Sequence, residues 1–399
     1  LRICYTGWGD YPHVRRFARW FSDRGHEVHV ITHHPVPMSG VVMHDLTAGS
    51  GARSRVDRYA HFEFRARYAA VATAVGRVRR LVREIRPDVV HVQSMYYPGY
   101  LGAFVSMVPR VITVWAFDDV WLPLAKGPWL LRQGLSRWAL ERGRVVTGIS
   151  TSLVGEILRL RVAQERVCVF HWGVDLAVFN RDKSRESVRA SLGLDADGRK
   201  VVLSSRNLDA TCNTELIVRA IPEVVKRAPN TDFLFLWNYE DRAYSGKIRK
   251  IVDELGIGRW TRFVGPIDYS QVHRYYRAAD LFVSVPRFDS GPVSLIEAMA
   301  CGAAPIVSDL ACVSEWIDHG RNGLVVGPDD HVGLAEAIGD LLADDDRREK
   351  MAERNVGMVQ QCADQDCNME WMEDVYRKVI AGEVRMPTRP RAMKAAKHG

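Results

Sequence analysis

The sequence predicts an α/β protein made of two Rossmann-like, doubly wound domains, and three observations carry that prediction. Short runs rich in Val and Ile alternate with helical-period segments from the first residue to about position 330. Such runs suit the strands of parallel sheets, which are buried beneath crossover helices on both faces. The alternation also falls into two series, separated by the polar stretch NRDKSRESVRASLGLDADGRK at 180–200.

In the first series, strands are expected at 2–6 (RICYT), 27–32 (EVHVIT), 89–93 (VVHVQ), 111–115 (VITVW), 145–149 (VVTGI) and 167–171 (VCVFH). In the second they recur at 201–205 (VVLSS), 232–237 (DFLFLW), 262–264 (RFV), 281–285 (LFVSV), 304–307 (APIV) and 323–326 (GLVV). The polar stretch between them reads as the interdomain connection, holding one short helix and a turn. The domains are therefore expected at 1–180 and 181–364, with their strand C-terminal ends facing one another across a cleft, where ligands bind in this architecture. A late helix near 365–381 has Met369, Met372, Val375, Tyr376 and Val379 at helical spacing and could pack back on the first domain. The basic tail at 385–399 has little to bury and is expected to be disordered.

Composition excludes several classes. The 399 residues are 47% hydrophobic and 26% charged, which disfavours disorder, collagen-like repeats and coiled coils. Lys plus Arg exceed Asp plus Glu by 55 − 48, a net charge of +7. That mild bias suits a phosphate-bearing ligand, nucleic acid or an anionic membrane face without choosing among them. The seven cysteines show no CxxC pair or zinc-ligand spacing. No apolar run approaches a membrane span, and Leu1 opens directly into a strand-like run, so a cytoplasmic location is expected, with the inner membrane face as a peripheral option.

The stretch most informative about chemistry is LFVSVPRFDSGPVSLIEAMACGAAPIVSD at 281–309. A strand ends near Pro286, Gly291-Pro292 opens a helix, and Gly302 closes it. The N-terminus of that helix offers N–H groups and a favourable dipole to a phosphate or a sugar hydroxyl. Asp289 stands before the helix and Glu297 inside it, roughly 8 Å beyond Pro292 at the usual helical rise. Two carboxylates bracketing an anion site fit a ligand with a charged middle and hydroxyl-bearing ends, which is the layout of a nucleotide sugar. The same residues also permit a purely structural reading, in which Glu297 forms a buried salt bridge and Asp289 caps the helix.

At these residues the chain resembles the retaining glycosyltransferases of family four, which have the GT-B fold. Asp289, Gly291, Glu297, Ala298, Met299, Ala300 and Gly302 match the family's acidic pair and its Glu-Ala-Met-Ala-x-Gly setting, with Asp289 standing where many members have Glu. The similarity extends to RGHEVHVIT at 24–32, RPDVVHVQS at 86–94, VWAFDD at 114–119, HWGVDLAVF at 171–179, AADLFVSVP at 278–286 and NGLVVGPDD at 322–330.

The resemblance implies that Glu297 holds the ribose hydroxyls, that Asp289 holds the hexose, and that Gly291, Pro292, Val293 and Ser294 line the hexose or diphosphate. Arg206 matches the family's diphosphate arginine, with Asn207 beside it on the donor side. Many relatives carry a Lys shortly after that arginine. Here Thr211, Cys212 and Asn213 stand in that neighbourhood, leaving Arg287 and Lys247 as substitutes by position. In the first domain Gly9, in the loop Gly7-Trp8-Gly9-Asp10-Tyr11, would lie beside the donor. His13 and Asp118 are the further catalytic candidates there. Pro12 stands where a dinucleotide fingerprint needs its third glycine, which argues against a dehydrogenase.

The implied activity is sugar transfer from a nucleoside diphosphate donor, a UDP-sugar before a GDP-sugar, to a hydroxyl acceptor with anomeric retention. No cofactor is expected and no essential metal; Asp118-Asp119 and the acids at 195–197 are the nearest approach to a metal-binding group. The acceptor could be a glycan, a lipid-linked hydroxyl or a small molecule. The ten arginines of 53–86 and the apolar stretch from Trp121 to 131 allow peripheral contact with an anionic membrane. Two alternatives stand beside this reading. One is a GT-B sugar-nucleotide epimerase without an acceptor; the other is a basic nucleic-acid-binding protein, for which no recognised motif is present, so no nucleic-acid partner is expected.

Overall fold

The computed structural model describes residues 1–47, 68–95, 97–117, 120, 129–181, 185–194 and 198–383. Asp118, Asp119, the acids at 195–197, the tail at 385–399, the arginines of 53–67 and the stretch 121–128 lie outside the described residues.

The chain forms two compact units. The first runs from Leu1 to His171 and includes the chain again from Asn368. Its elements are β1 (Arg2–Thr6), α1 (Pro12–Asp23), β2 (Glu27–Thr32), β3 (Val41–Asp45), α2 (Tyr68–Ile85), β4 (Val89–Gln93), α3 (Tyr97–Gly102), β5 (Arg110–Val114), α4 (Trp129–Leu140), β6 (Val145–Gly148), α5 (Thr151–Arg159) and β7 (Val167–Val169). The seven strands form one parallel sheet in the order β3-β2-β1-β4-β5-β6-β7. Val89, Val90 and Val92 of β4 are wholly buried, as a central strand covered on both faces requires. Strand β3 was not among the expected strands; it lies at the sheet edge, and its apolar residues Val41 to Met43 pass directly into the polar His44 and Asp45.

The second unit spans Trp172–Cys367. It contains α6 (Arg185–Leu192), β8 (Lys200–Ser205), α7 (Thr214–Arg227), β9 (Thr231–Leu236), α8 (Arg242–Glu254), β10 (Thr261–Val264), α9 (Tyr269–Ala278), β11 (Leu281–Ser284), α10 (Val293–Ala300), β12 (Ala304–Ser308), β13 (Leu324–Val326), α11 (His331–Ala343) and α12 (Asp345–Cys362). Its six strands are parallel in the order β10-β9-β8-β11-β12-β13. The strand order reverses between β8 and β11, so a crevice opens beyond their C-terminal ends.

Two features of domain organisation differ from expectation or resolve it. The chain divides between His171 and Trp172, not at 180/181, because 172–180 are tied to the second unit: the Val174 amide donates to the Ala363 carbonyl at 2.7 Å, and Arg277 donates to the carbonyls of Val178 and Asn180 at 2.7 and 2.8 Å. Arg189 and Arg185 of α6 reach the buried Asp280 at 2.5 and 3.2 Å, and Asp280 also accepts from the Val201 amide at 2.7 Å. Arginines that look solvated in sequence here compensate a buried charge. The late helix α13 (Gln365–Ala381) joins the first unit from Asn368 on. The Tyr376 hydroxyl lies 2.5 Å from His91 Nδ1 on β4 and 3.4 Å from the Tyr5 hydroxyl on β1. His91 Nε2 continues to Thr113 Oγ1 on β5 at 2.7 Å, and Thr113 to Thr147 on β6 at 2.8 Å, giving a buried polar layer beneath that helix.

Of the basic segment, α2 is described. Val75, Val78 and Val82 are buried, while Arg79, Arg80 and Arg83 are exposed. Val75, Val78 and Val82 thus belong to the core of the first unit.

Candidate functional site

Arg206 leaves the end of β8 and the segment 285–292 leaves β11, so the two flank the crevice where the strand order reverses. Asp289 Oδ1 accepts from the amides of Ser290 and Gly291 at 2.8 and 3.2 Å. That turn fixes the carboxylate and leaves Oδ2 to Arg206, whose Nη1 lies 3.0 Å away. Nη1 also lies 3.4 Å from Ser294 Oγ in the first turn of α10. Burial opposes the guanidinium charge, but Asp289 and the Cys212 thiol beside it more than offset that and raise the Arg206 pKa. The arginine is thus held charged at the head of α10. That helix has Pro292 at its cap position, with no side-chain hydrogen bond there, and Gly302 beyond its end at φ +78°. Only glycine takes that left-handed turn without strain.

Glu297 is 3% exposed. Tyr269 donates to its Oε1, and Tyr276 to its Oε2 at 3.3 Å. The Tyr276 hydroxyl also lies 2.6 Å from Ser205 Oγ at the end of β8. Neither tyrosine was singled out from the sequence. Their spacing of seven residues, two helical turns on one face of α9, was the available signal.

The remaining donor-side candidates take structural positions around this pair. Asn207 Oδ1 accepts from the Tyr239 amide at 3.2 Å, tying the loop after β8 to the one after β9. Asn213, in a left-handed conformation at φ 55°, donates to the carbonyls of Val285 and Pro328 at 3.1 and 2.9 Å and stitches the same crevice. The two cations considered as replacements for a missing lysine are engaged on the surface: Arg287 with Asp329 at 2.6 Å, and Lys247 with Glu215 at 2.5 Å.

In the first unit, His13 stacks on Trp115 with ring centroids 4.2 Å apart and 8° between planes. Burial, aided by Arg16, pushes its pKa down to about 4, so the imidazole is neutral near pH 7. Trp115 Nε1 donates to Gln93 Oε1 at 2.9 Å, which fixes the platform. Gly9 has a packing reason of its own: a Cβ there would stand 2.6 Å from the His34 carbonyl oxygen. Among the described residues, no group of three His, Cys, Asp or Glu side chains is disposed to hold a metal ion, and no helix is long and apolar enough to cross a membrane.

Two doubly wound parallel sheets, with an arginine and two carboxylates at the crevice of the second, define a GT-B protein. Known proteins agree. Residues 12–178 match the family described as Glycosyltransferase Family 4, and residues 184–356 match Glycosyl transferases group 1. The chain belongs to this glycosyltransferase family. It is 25% identical to N-acetyl-alpha-D-glucosaminyl L-malate synthase of Bacillus anthracis over 88% of this chain and 89% of that protein. It is 29% identical to D-inositol 3-phosphate glycosyltransferase of Corynebacterium jeikeium, where the match spans 45% of this chain and 44% of that protein. The structure is similar to sucrose-phosphate synthase from Thermosynechococcus elongatus, with a TM-score of 0.79 at 21% identity, covering 96% of this chain and 100% of the other. It is also similar to Anabaena HepE in complex with UDP and glucose, with a TM-score of 0.74 at 15% identity, covering 95% and 100%.

Proposed function

We propose that the protein transfers a sugar from a nucleoside diphosphate donor to a hydroxyl acceptor with retention of anomeric configuration and without an essential metal. The observation that carries this reading is the Arg206–Asp289 ion pair at the head of α10, with Glu297 buried in the second turn of the same helix. A carboxylate accepts hydrogen bonds, so Glu297 suits a ribose diol and Asp289 a hexose hydroxyl. Arg206 and the head of α10 stabilise the negative charge that develops on the departing diphosphate, which is the service a metal ion performs elsewhere. The departing phosphate oxygen would take the acceptor proton on the same face as the bond it leaves, so the chain need supply no nucleophile. The HepE complexes, which contain UDP, UDP-glucose, or UDP and glucose, support a UDP-sugar as the first donor to test. The relatives named for D-inositol 3-phosphate and L-malate support a small hydroxyl compound as the first acceptor. The exposed arginines of α2 would give any attraction to an anionic membrane through charge alone.

The test is a thermal-shift screen of nucleotide sugars, followed by mass detection of products with candidate acceptors. Transfer with a retained anomeric coupling in the NMR spectrum of the product, undiminished by EDTA, is the expected result. An inverted linkage refutes the mechanism, and loss of activity in EDTA restored by Mn²⁺ refutes metal independence. Release of an altered nucleotide sugar with no transfer product would replace transfer by epimerisation.

A further inference from the structure

Glu297 is closed in by two tyrosines of very different burial. Tyr276 is 1% exposed, with its ring against Phe179 and Phe282 and its hydroxyl shared between Glu297 and Ser205. It is part of the core. Tyr269 is 48% exposed and opens α9 directly after the Asp268 cap, yet its hydroxyl donates to Glu297 Oε1. A half-exposed phenol therefore covers a carboxylate that is itself 3% exposed.

A phenol and a ribose hydroxyl offer the same thing, one O–H donor, to an ionised carboxylate that can only accept. We propose that Tyr269 holds the ribose position on Glu297 in the unliganded protein, and that a nucleoside diphosphate enters by displacing its hydroxyl. The inference rests on the ribose role given to Glu297 above. Displacement exchanges one donor for another, so the ribose gains less than it would at an open carboxylate. In return Glu297 Oε1 keeps a donor between turnovers, beside the Tyr276 hydroxyl on Oε2, and a buried carboxylate oxygen without one is penalised in a low-dielectric site. The asymmetry in burial decides which tyrosine yields. Moving Tyr276 would open the core and strip Ser205 of its partner, whereas Tyr269 can turn towards solvent from the first position of its helix.

Isothermal titration of the full chain with UDP and with 2′,3′-dideoxy-UDP tests the idea in four proteins: the parent, Tyr269→Phe, Glu297→Gln and the double variant. Removing the competing hydroxyl should tighten UDP binding roughly ten- to a hundredfold, the net worth of one hydrogen bond to a charged group. Binding of dideoxy-UDP, which has no diol to exchange, should change less than about twofold by the same argument. Glu297→Gln should weaken UDP, and the gain from Tyr269→Phe should vanish in its background. Tyr269→Phe that leaves UDP unchanged, weakens it, or tightens both nucleotides alike overturns the displacement while Glu297→Gln still supports the ribose assignment. A Glu297→Gln variant with parental UDP affinity, or a parent that does not bind UDP, removes the ribose assignment and this inference together.

Discussion

Arg206 and Asp289 come from opposite sides of the crevice between β8 and β11 and meet with Nη1 3.0 Å from Oδ2, both side chains largely buried. The pair pre-aligns the two groups before any donor arrives. An arginine so held costs no reorganisation when charge develops on a leaving phosphate, which is where electrostatic catalysis gains most. Arg206→Met should lower kcat about 100- to 1,000-fold, with a smaller rise in donor KM, because the lost interaction strengthens in the transition state. The same change strands Asp289 without its cation and should cost roughly 2–4 kcal/mol of stability. Adding Asp289→Asn should recover much of that stability and none of the activity. Recovery of both, in urea titrations and steady-state assays of the double variant, would make the pair a structural bridge only.

If Glu297 holds the ribose as proposed, Tyr276 acts through it, as a positioning residue. Its hydroxyl spans Ser205 at 2.6 Å and Glu297 at 3.3 Å. Tyr276→Phe should raise the donor KM roughly three- to tenfold, the worth of about one ordinary hydrogen bond, and change kcat less than about twofold. A drop in kcat with KM unchanged would contradict a role confined to donor binding.

Gly9 separates a packing role from a ligand role. A Cβ at this position would meet the His34 carbonyl at 2.6 Å and the Met43 methyl at 2.9 Å, and the Gly9 amide already donates to Thr32 Oγ1 at 2.9 Å. Gly9→Ala should therefore destabilise the first unit by roughly 1–3 kcal/mol, as overpacking does, with donor affinity unchanged at a temperature where the variant is folded. Weaker donor binding at an unaltered melting temperature would instead place Gly9 at the ligand.

What the sequence disclosed depended on whether a signal was local. The twelve expected strands all appear, within a residue or two at their ends, because each carries a short, mostly apolar run that is visible locally. The edge strand β3 escaped although it opens with Val41, Val42 and Met43, because His44 and Asp45 cut that run short. The domain boundary escaped because the groups that hold 172–180, Arg277 and the Ala363 carbonyl, lie far along the chain from it. Around the site, Arg206, Asp289 and Glu297 were legible from their places after strands and within one helix. The partners that make them a unit were not: the ion pair joins positions 206 and 289, and the tyrosines on Glu297 come from α9. Long-range pairings of this kind leave no periodic trace in a single sequence.

His91 sets the response of the first unit to acid. It is fully buried between Tyr376 and Thr113, and burial pushes its pKa from 6.5 down to about 3. The unfolded chain therefore binds a proton that the folded chain refuses between those two values, and stability must fall as pH drops below 6.5. Above that value the contribution is complete. From pH 7.5 to 5.5 the single site should remove about 1.4 kcal/mol. His13 and His33, each lowered to about 4 chiefly by burial, act in the same direction. His91→Gln keeps a group able to donate and accept within the polar layer but cannot titrate there. Its stability, followed by urea unfolding across this range, should show a loss smaller than the parent's by about 1.4 kcal/mol. Parallel pH profiles for the two proteins would mean that His91 is either protonated in the folded state or accessible to water, and that the layer joining α13 to β4 and β5 opens well below the global unfolding transition.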